Sequence, residues 1–392
     1  MTDTSRAADP LPDTPDERPD TSATTTAGGS VRRRGWLLPA AAALVTALVL
    51  TFVSPLLPRL GGSTGDAELG EEIIEILGSH QRHHVAIARL SADGSGPRFA
   101  GFGADENTEF EIGSVTKTFT GVLLGQAIEK EEVTLDTTLG DIFGDEAGGA
   151  TEITLMQLTT HTSGLPRLEP SGPLTPLIAQ VLHTDPYQTS ESELLAGLES
   201  LDAPKPVDPD AGDGEYSNYG VALLGLALAE AAGTDYPTLL QERIFEPLGM
   251  YDSYLPVTRD GLAADAPHGY AAGGVPASPW TMNANAPAGG IRSTAADMTR
   301  YVQAVMTGEL AGAEQATTRH ALLREGREIG FNWMLRVPDA GEKHVILHNG
   351  GTGGFSSIVG FTPEGEALIV LSDTSRSVDD ALDVLIDGQE QS

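Results

Sequence analysis

Cysteine is absent from the 392-residue sequence, which excludes a disulfide framework and a lipid-modified cysteine. Basic residues are scarce as well, because 23 lysines and arginines stand against 56 aspartates and glutamates, for a formal net charge of −33. This imbalance argues against a nucleic-acid-binding protein, since phosphate contact needs clustered lysine and arginine. The acidic residues are spread through the chain, which is typical of a solvated surface; charge selection of a substrate is the alternative.

Apolar residues are almost missing from the N-terminus, where threonine, serine, proline and aspartate dominate. Such a composition cannot offset the entropy lost on ordering, so the sequence predicts a disordered tail over residues 1–31. Three arginines, beginning at Arg32, then precede an uncharged apolar run that reaches Pro58. Because a bilayer span needs about 20 such residues, the pattern predicts a transmembrane signal anchor over residues 32–58.

The arginines before the apolar run predict the orientation of this anchor. They favour a cytoplasmic tail and a single-pass protein of the cell membrane, with everything after Arg59 extracytoplasmic. A cleaved signal peptide, which would leave a secreted protein, is the alternative. The retained anchor is favoured because no clear small-residue cleavage site follows the apolar run.

The rest of the chain divides into a short connection and one large domain. Residues 59–67 are rich in glycine and serine and indicate a linker, and residues 68–392 indicate the domain. Strand-like alternation occurs near both ends of this domain, whereas helical spacing fills its middle. The sequence therefore predicts an α/β (α+β) fold, with one sheet built from N- and C-terminal segments, flanking helices and an inserted helical subdomain.

One of only four lysines in the chain, Lys117, lies three residues after Ser114, where an apolar helix begins. Residues three apart share a helix face, so the ammonium group is expected beside the hydroxyl. A serine needs an adjacent base to become a nucleophile, and a lysine can serve when burial lowers its pKa. A helix start also offers free N–H groups to a developing negative charge. The pair thus indicates a candidate nucleophile and its activating group.

Two further segments carry candidate polar groups. In "EYSNYG", Tyr216 and Asn218 precede an apolar helix; the tyrosine can act as a general base and the amide can hold a carbonyl, although Asn218 could simply cap the helix. In "HNGG", a strand ends at His348 and Asn349 and is followed by Gly350 and Gly351, which let a substrate approach the backbone. A tight glycine turn is the alternative there.

Together these segments resemble the three-motif, penicillin-recognising serine hydrolases, with "SVTK", "YSN" and "HNG" as the three motifs. Further stretches, "LTTHTSGLP", "EPLGMYDSY", "APAGGIRSTAADMTRY" and "GGTGGFSS", look like the class C β-lactamase-like branch of that family. The resemblance covers about residues 68 to 388 and implies a β-lactamase/transpeptidase-like fold.

The resemblance also implies roles for the residues that match its motifs. Ser114 would be the nucleophile, Lys117 its cationic partner and Tyr216 the general base or proton shuttle. Asn218 would orient the acyl side chain of the substrate. The remaining matched residues fall at the third motif: His348, Asn349 and Gly350 would bind substrate, and the N–H groups of Ser114 and Gly351 would form the oxyanion hole.

His348 is a departure from the family pattern, which has lysine at this position. A lysine is a permanent cation suited to a substrate carboxylate, whereas histidine is neutral over much of the physiological pH range. Family members with histidine at this position include esterases and D-amino-acid peptidases, so the resemblance implies an enzyme of that kind, which works through an acyl-enzyme. D,D-carboxypeptidase or β-lactamase activity on cell-wall peptides or β-lactams is one alternative, and a penicillin-binding sensor without turnover is another.

No metal or organic cofactor is implied. The histidines of "SHQRHH", His80, His83 and His84, have no carboxylate at ligand spacing nearby in sequence, which disfavours a metal site. The expected partner is a small-molecule or peptide substrate, a cell-wall fragment being one candidate, and the oligomeric state stays open.

Overall fold

The structure is a computed structural model, and it describes residues 59–79, 82–170, 182–271, 273–339 and 342–386. The strands in chain order are β1 (Ser63–Gly65), β2 (Val85–Leu90), β3 (Arg98–Phe102), β4 (Phe110–Glu111), β5 (Arg292–Ser293), β6 (Ala321–Arg324), β7 (Arg327–Ile329), β8 (Met334–Arg336), β9 (Val345–Gly351), β10 (Ser356–Phe361) and β11 (Ala367–Ser372). In this part of the chain, nine of them form one antiparallel sheet in the order β1-β3-β2-β11-β10-β9-β8-β7-β6. Strands β4 and β5 pair separately.

The predicted union of N- and C-terminal segments in one sheet is confirmed. Strand β2 pairs with β11, so that Val85 lies opposite Ser372. All of β11 is buried, which agrees with a central strand covered on both faces.

Helices occupy the stretch between β3 and β6 and also flank the sheet. Their bounds are α1 (Ala67–Leu77), α2 (Thr116–Glu129), α3 (Leu139–Phe143), α4 (Leu155–Thr159), α5 (Glu191–Glu199), α6 (Asn218–Ala232), α7 (Tyr236–Leu240), α8 (Glu246–Leu248), α9 (Ala295–Met306), α10 (Ala313–Thr317) and α11 (Asp383–Ile386). Side-chain caps start several of them; Thr138, Thr154 and Ser190 each form a reciprocal capping box with the third helical residue.

Apolar side chains bury both faces of the sheet. On one face, Leu69, Ile73 and Leu77 from one side of α1 pack with the C-terminal segment near Leu382 and Leu385. The opposite face meets the larger core, in which α2 is buried from Thr116 to Ala127. A helix that is apolar on every side belongs in such an interior. The start of α2, which carries the candidate nucleophile, is therefore held by packing on all sides.

The prediction that this fold includes a transmembrane helix is wrong. Within the described ranges no helix has the length and apolarity that a bilayer span requires. The longest one there, α6, has 15 residues, fewer than the roughly 20 needed. Residues 1–31 and 32–58, to which the tail and the anchor were assigned, lie outside the described residues.

The linker predicted over residues 59–67 also needs correction. Ser63–Gly65 form an edge strand that pairs with β3, and Asp66 caps α1 by accepting a hydrogen bond from the Leu69 N–H. Thr64 Oγ1 donates to the Ala104 carbonyl at 2.5 Å. The glycine and serine content of this segment suggested flexibility, but small residues also suit a closely paired edge strand.

Gly121 tests the packing of α2, because a Cβ at this position would lie 2.0 Å from the Phe331 carbonyl oxygen. We expect Gly121→Ala to lower the free energy of unfolding by about 2 kcal/mol, since backbone must move and the gain in helix propensity is smaller. Urea denaturation measures this change. Gly62→Ala is the control, because a Cβ on Gly62 would have no other atom within 4 Å. Equal stability of the two variants would contradict the described packing.

Candidate active site

Ser114 lies in a short turn, Gly113–Val115, that leads directly into α2. Gly113 has a φ of 51°, and a Cβ on it would lie 2.6 Å from the Gly351 nitrogen. A Cβ on Gly350 would lie 2.0 Å from the Ile112 carbonyl oxygen. Only glycines allow the serine-bearing turn to touch the end of β9 so closely. The two residues predicted for the oxyanion hole therefore come from segments in direct backbone contact.

Lys117 points its amine at the candidate nucleophile. Its Nζ lies 3.0 Å from Ser114 Oγ and donates to the Ala288 carbonyl at 2.5 Å. The side chain is fully buried and forms no ion pair with a carboxylate in the described ranges. Burial, and secondarily the charge of Arg167, hold the pKa of Lys117 well below its usual range. The amine is therefore placed to accept a proton rather than to act as a permanent cation.

Tyr216 is the third group at this point. Its ring centroid lies 5.0 Å from Lys117 Nζ and 5.2 Å from Arg167 Cζ. Burial raises the pKa of Tyr216, an effect partly offset by its hydrogen bond with Ser114. The phenol thus keeps its proton, whereas a general base would need the phenolate.

His161 holds the segment that carries Tyr216. Its carbonyl accepts from the Glu215 N–H at 3.0 Å, its Nδ1 accepts from the Ser217 N–H at 3.3 Å, and its ring packs 4.5 Å from the Tyr216 ring. The residue is buried and has a φ of 60°, an uncommon conformation for histidine. The sequence carried this residue in "LTTHTSGLP" but gave no sign of these three contacts.

Asn218 does not reach the cavity as expected from the motif. It is the first residue of α6 and only 7% exposed, and its Nδ2 donates to Tyr187 Oη at 2.8 Å. Ser217 caps the helix, accepting from the Gly220 N–H at 2.8 Å. The Nδ2 of Asn218 is therefore engaged by Tyr187, a partner that sequence spacing could not reveal, whereas no described residue bonds to its Oδ1.

His348 is buried behind the cavity wall instead of forming part of it. Its Nδ1 lies 2.7 Å from the Asn349 carbonyl, which places the proton on Nδ1 and leaves Nε2 unprotonated. Burial, followed by the nearby Lys117, lowers the pKa of His348 to about 3. The residue is neutral at physiological pH, so it cannot supply the positive charge of a lysine. Asn349, in contrast, lines the cavity and donates to Asp379 at 2.8 Å.

The cavity beside these groups has a volume of about 690 Å³. Its lining residues are Ser114, Arg167, Gly212, Gly214, Glu215, Tyr216, Leu323, Arg324, Met334, Asn349, Gly350, Gly351, Ser356, Ser375, Ser377 and Asp379. Sequence reasoning missed its charged members, because they come from four separate segments and no motif spacing marks them. Ser114, Tyr216 and Gly351 face one space, with Lys117 directly beneath the serine.

The histidines near the start of β2 belong to a different contact. Among the described residues, no cluster of three or more ligating side chains is suited to a metal ion. His84 Nδ1 lies 2.9 Å from Asp373 Oδ2, and the Asp373 Oδ1 accepts from the N–H groups of His83 and His84. His80 lies outside the described residues.

A serine hydroxyl beside a buried lysine amine, at a helix start and against a glycine-containing strand end, is the arrangement of a serine hydrolase that uses lysine in place of histidine. The chain belongs to the Beta-lactamase family, whose sequence pattern matches residues 70–386. It is a serine hydrolase acting on amide or ester bonds.

Similar proteins agree with this family. The D-alanyl-D-alanine-carboxypeptidase/endopeptidase AmpH of Escherichia coli is 28% identical over 276 residues, which cover 64% of this chain and 67% of that protein. A beta-lactamase of Escherichia coli is 28% identical over 305 residues, covering 68% of this chain and 75% of its own. The crystal structure of a D-stereospecific amidohydrolase from Streptomyces sp. has a TM-score of 0.68 at 20% identity, covers 83% of this chain and 99% of its own, and shows the same fold.

The pH dependence of the free energy of unfolding tests whether the buried Lys117 amine is neutral in the folded protein. Below the usual lysine pKa of about 10.5 the unfolded chain holds this amine charged, whereas the folded protein holds it neutral above its lowered pKa. The unfolded state then binds more protons, so the stability of the wild type rises with pH in that window. We expect Lys117→Met to be more stable than the wild type near neutral pH, by a margin that shrinks as the pH rises.

Urea denaturation at about pH 7 and about pH 9 measures that margin. Lys130→Met, at the exposed end of the same helix, is the matched control and should show no comparable gain. A loss of stability in Lys117→Met that does not vary with pH would contradict a neutral buried amine.

Proposed function

We propose that the protein hydrolyses esters or amides through an acyl-enzyme on Ser114, as an esterase or a D-amino-acid peptidase. One observation carries this proposal, namely the 3.0 Å distance between Lys117 Nζ and Ser114 Oγ. Because this amine is fully buried and has no carboxylate within ion-pair distance in the described ranges, it can take the serine proton as a neutral base.

The proposed reaction begins when Lys117 takes the proton of Ser114 and Oγ attacks the carbonyl carbon of the substrate. The negative charge then develops on the carbonyl oxygen, where the N–H groups of Ser114 and Gly351 would donate to it; one such donor is typically worth about 3 kcal/mol. Collapse of this intermediate breaks the bond to the leaving group, which takes the proton back from Lys117, directly or through Tyr216. Water then gives a proton to Lys117 and attacks the acyl carbon. The bond from that carbon to Ser114 Oγ breaks, Oγ takes the proton from Lys117, and the acid product leaves.

This assignment changes two roles that the motif resemblance implied. Lys117 becomes the base instead of a cationic partner, because burial favours its neutral form. Tyr216 becomes a protonated relay between Ser114 and the leaving group instead of the general base, because burial raises its pKa. The structural position of both residues beside Ser114 supports these roles.

The names of the relatives support a second candidate, D,D-carboxypeptidase or β-lactamase activity on cell-wall peptides or β-lactams. One relative is a D-alanyl-D-alanine carboxypeptidase/endopeptidase, and others are beta-lactamases. A peptide derived from the cell wall would require an extracytoplasmic location, which stays a prediction of the sequence. Neutral His348 is the observation that favours the ester or D-amino-acid reading over these activities.

Ser114→Ala is the first test of the proposal. With the full chain, we expect turnover of p-nitrophenyl acetate to fall at least about 10³-fold, since the nucleophile is lost. Ser200→Ala is the control, because this exposed serine bonds only to its own helix end, at the Gly197 carbonyl. Nitrocefin hydrolysis and labelling by a fluorescent penicillin extend the assay. Stable labelling without turnover of any substrate would indicate a sensor, and activity that survives in Ser114→Ala would disprove the mechanism.

The pH dependence of ester hydrolysis tests which group is the base. We expect kcat/KM to fall as the pH drops through the lowered pKa of Lys117, because the ammonium cannot accept a proton. This fall of kcat/KM at low pH, the acidic limb of the profile, should persist in Tyr216→Phe, although the rate is reduced. Lys117→Arg should be nearly inactive and should show no such limb. Burial lowers the pKa of the neighbouring His348 to about 3, so this imidazole is neutral at physiological pH. Disappearance of the limb in Tyr216→Phe would assign the base to the tyrosine instead.

A further inference from the structure

Two arginines line the active-site cavity of a protein with a net charge of −33. Neither Arg167 nor Arg324 has its guanidinium in an ion pair or hydrogen bond with another described residue. Other arginines are paired, as Arg243 is with Glu132 and Arg319 with Asp210. Seven of the fourteen arginines in the described ranges have no carboxylate within ion-pair distance, and Arg167 and Arg324 are the two of these that line the cavity.

Arg167 is fixed next to the reacting groups. Its Cζ lies 5.2 Å from the centroid of the Tyr216 ring, and its carbonyl accepts from the N–H groups of Asn218 at 2.9 Å and Tyr219 at 3.3 Å. Two hydrogen bonds therefore hold its backbone, and the exposed side chain lies over the ring with its guanidinium N–H donors unused within the described residues. A planar group with free paired donors suits a carboxylate.

Arg324 contributes a second positive charge from the end of β6. It pairs across the hairpin with Arg327, which also has no carboxylate partner in the described ranges and lies 4.0 Å from Met334 Sδ. Burial, with Arg324 as the next cause, lowers the pKa of Arg327. Two arginines side by side repel each other, and an anion bound in the cavity would relieve that repulsion.

Two acids share the cavity and must be weighed against these cations. Asp379 accepts a hydrogen bond from Asn349 at 2.8 Å, and Glu215 is exposed at the rim. Neither forms an ion pair with Arg167 or Arg324. His348, the residue that takes the place of a lysine at the end of β9, adds no charge. Recognition of an anionic substrate group therefore depends on the two arginines.

We infer that the cavity takes substrates that carry a carboxylate, which Arg167 binds as the principal ligand with Arg324 as the second cation, while the reacting carbonyl lies at Ser114. This inference rests on the proposed function, because it names the substrate class for the same nucleophile. The overall negative charge of the protein repels anions at long range, so any preference for a carboxylate must come from these local contacts.

Two matched ester pairs test the inference. The first is p-nitrophenyl hydrogen succinate against p-nitrophenyl methyl succinate, which differ by a carboxylate on the acyl side. The second is p-acetoxybenzoate against its methyl ester, which differ by a carboxylate on the leaving group. The readout is the ratio of kcat/KM between the charged and the neutral member, because any effect of a substitution on Lys117 cancels in that ratio.

We expect the wild type to prefer the charged member of at least one pair by about tenfold or more, the size of a charge-assisted contact. Arg167→Gln should remove most of this preference, the double variant with Arg324→Gln should abolish it, and Arg167→Lys should retain part of it. Added salt should weaken it as well. Arg259→Gln is the matched control, because Arg259 is an exposed arginine without an ion pair in the described ranges and outside the cavity lining.

The outcomes separate this inference from the proposed function. Wild-type hydrolysis of the neutral esters that depends on Ser114, without preference for either charged ester, would overturn the inference alone. A preference that survives in the double variant would overturn it too. Hydrolysis that persists in Ser114→Ala would instead overturn the proposed function.

Discussion

The desolvation of one amine is the constraint on which the site depends. Lys117 is fully buried in a helix that is itself buried from Thr116 to Ala127. Among the described residues, its Nζ forms hydrogen bonds only with Ser114 and a backbone carbonyl. Water would keep this amine charged, and a nearby carboxylate would do the same. The fold supplies neither, so burial keeps the amine neutral and able to accept the serine proton. The helices that pack against α2, namely α6 and α10, thus contribute to the proton chemistry.

The close approach of two backbone segments is the second requirement. Gly113 and Gly350 let the turn before α2 touch the end of β9, so the donors at Ser114 and Gly351 are fixed by main chain rather than by mobile side chains. Donors held in this way need little reorganisation when charge develops. His161 plays a comparable part for Tyr216, because its strained backbone and two hydrogen bonds fix the loop that carries the ring.

The spacing of residues in the sequence predicted the features that depend on residues close together in the chain. Ser114 and Lys117 share a helix face, and the alternating strands at both ends of the domain form one sheet, as expected. Spacing could not show that the Nδ2 of Asn218 donates a hydrogen bond to Tyr187, or that His348 lies behind the cavity wall. Both features depend on tertiary packing. Arg167 and Arg324 were missed for the same reason. Composition misled at residues 63–65, where glycine and serine indicated a linker and the backbone instead pairs with β3.

The pairing of β2 with β11 has a consequence for the order of events during synthesis. Val85 lies opposite Ser372, so the central part of the sheet closes only after nearly all of the described chain has been made. Contacts between residues so distant in sequence form slowly, because loop closure must come first. The segment with Ser114 is made early, whereas Ala288, which accepts a hydrogen bond from Lys117, and Gly351 come late. A ribosome-bound chain that ends before β9 therefore carries the serine and the lysine without Gly351, half of the proposed oxyanion hole, so we expect activity only at the last stage of folding.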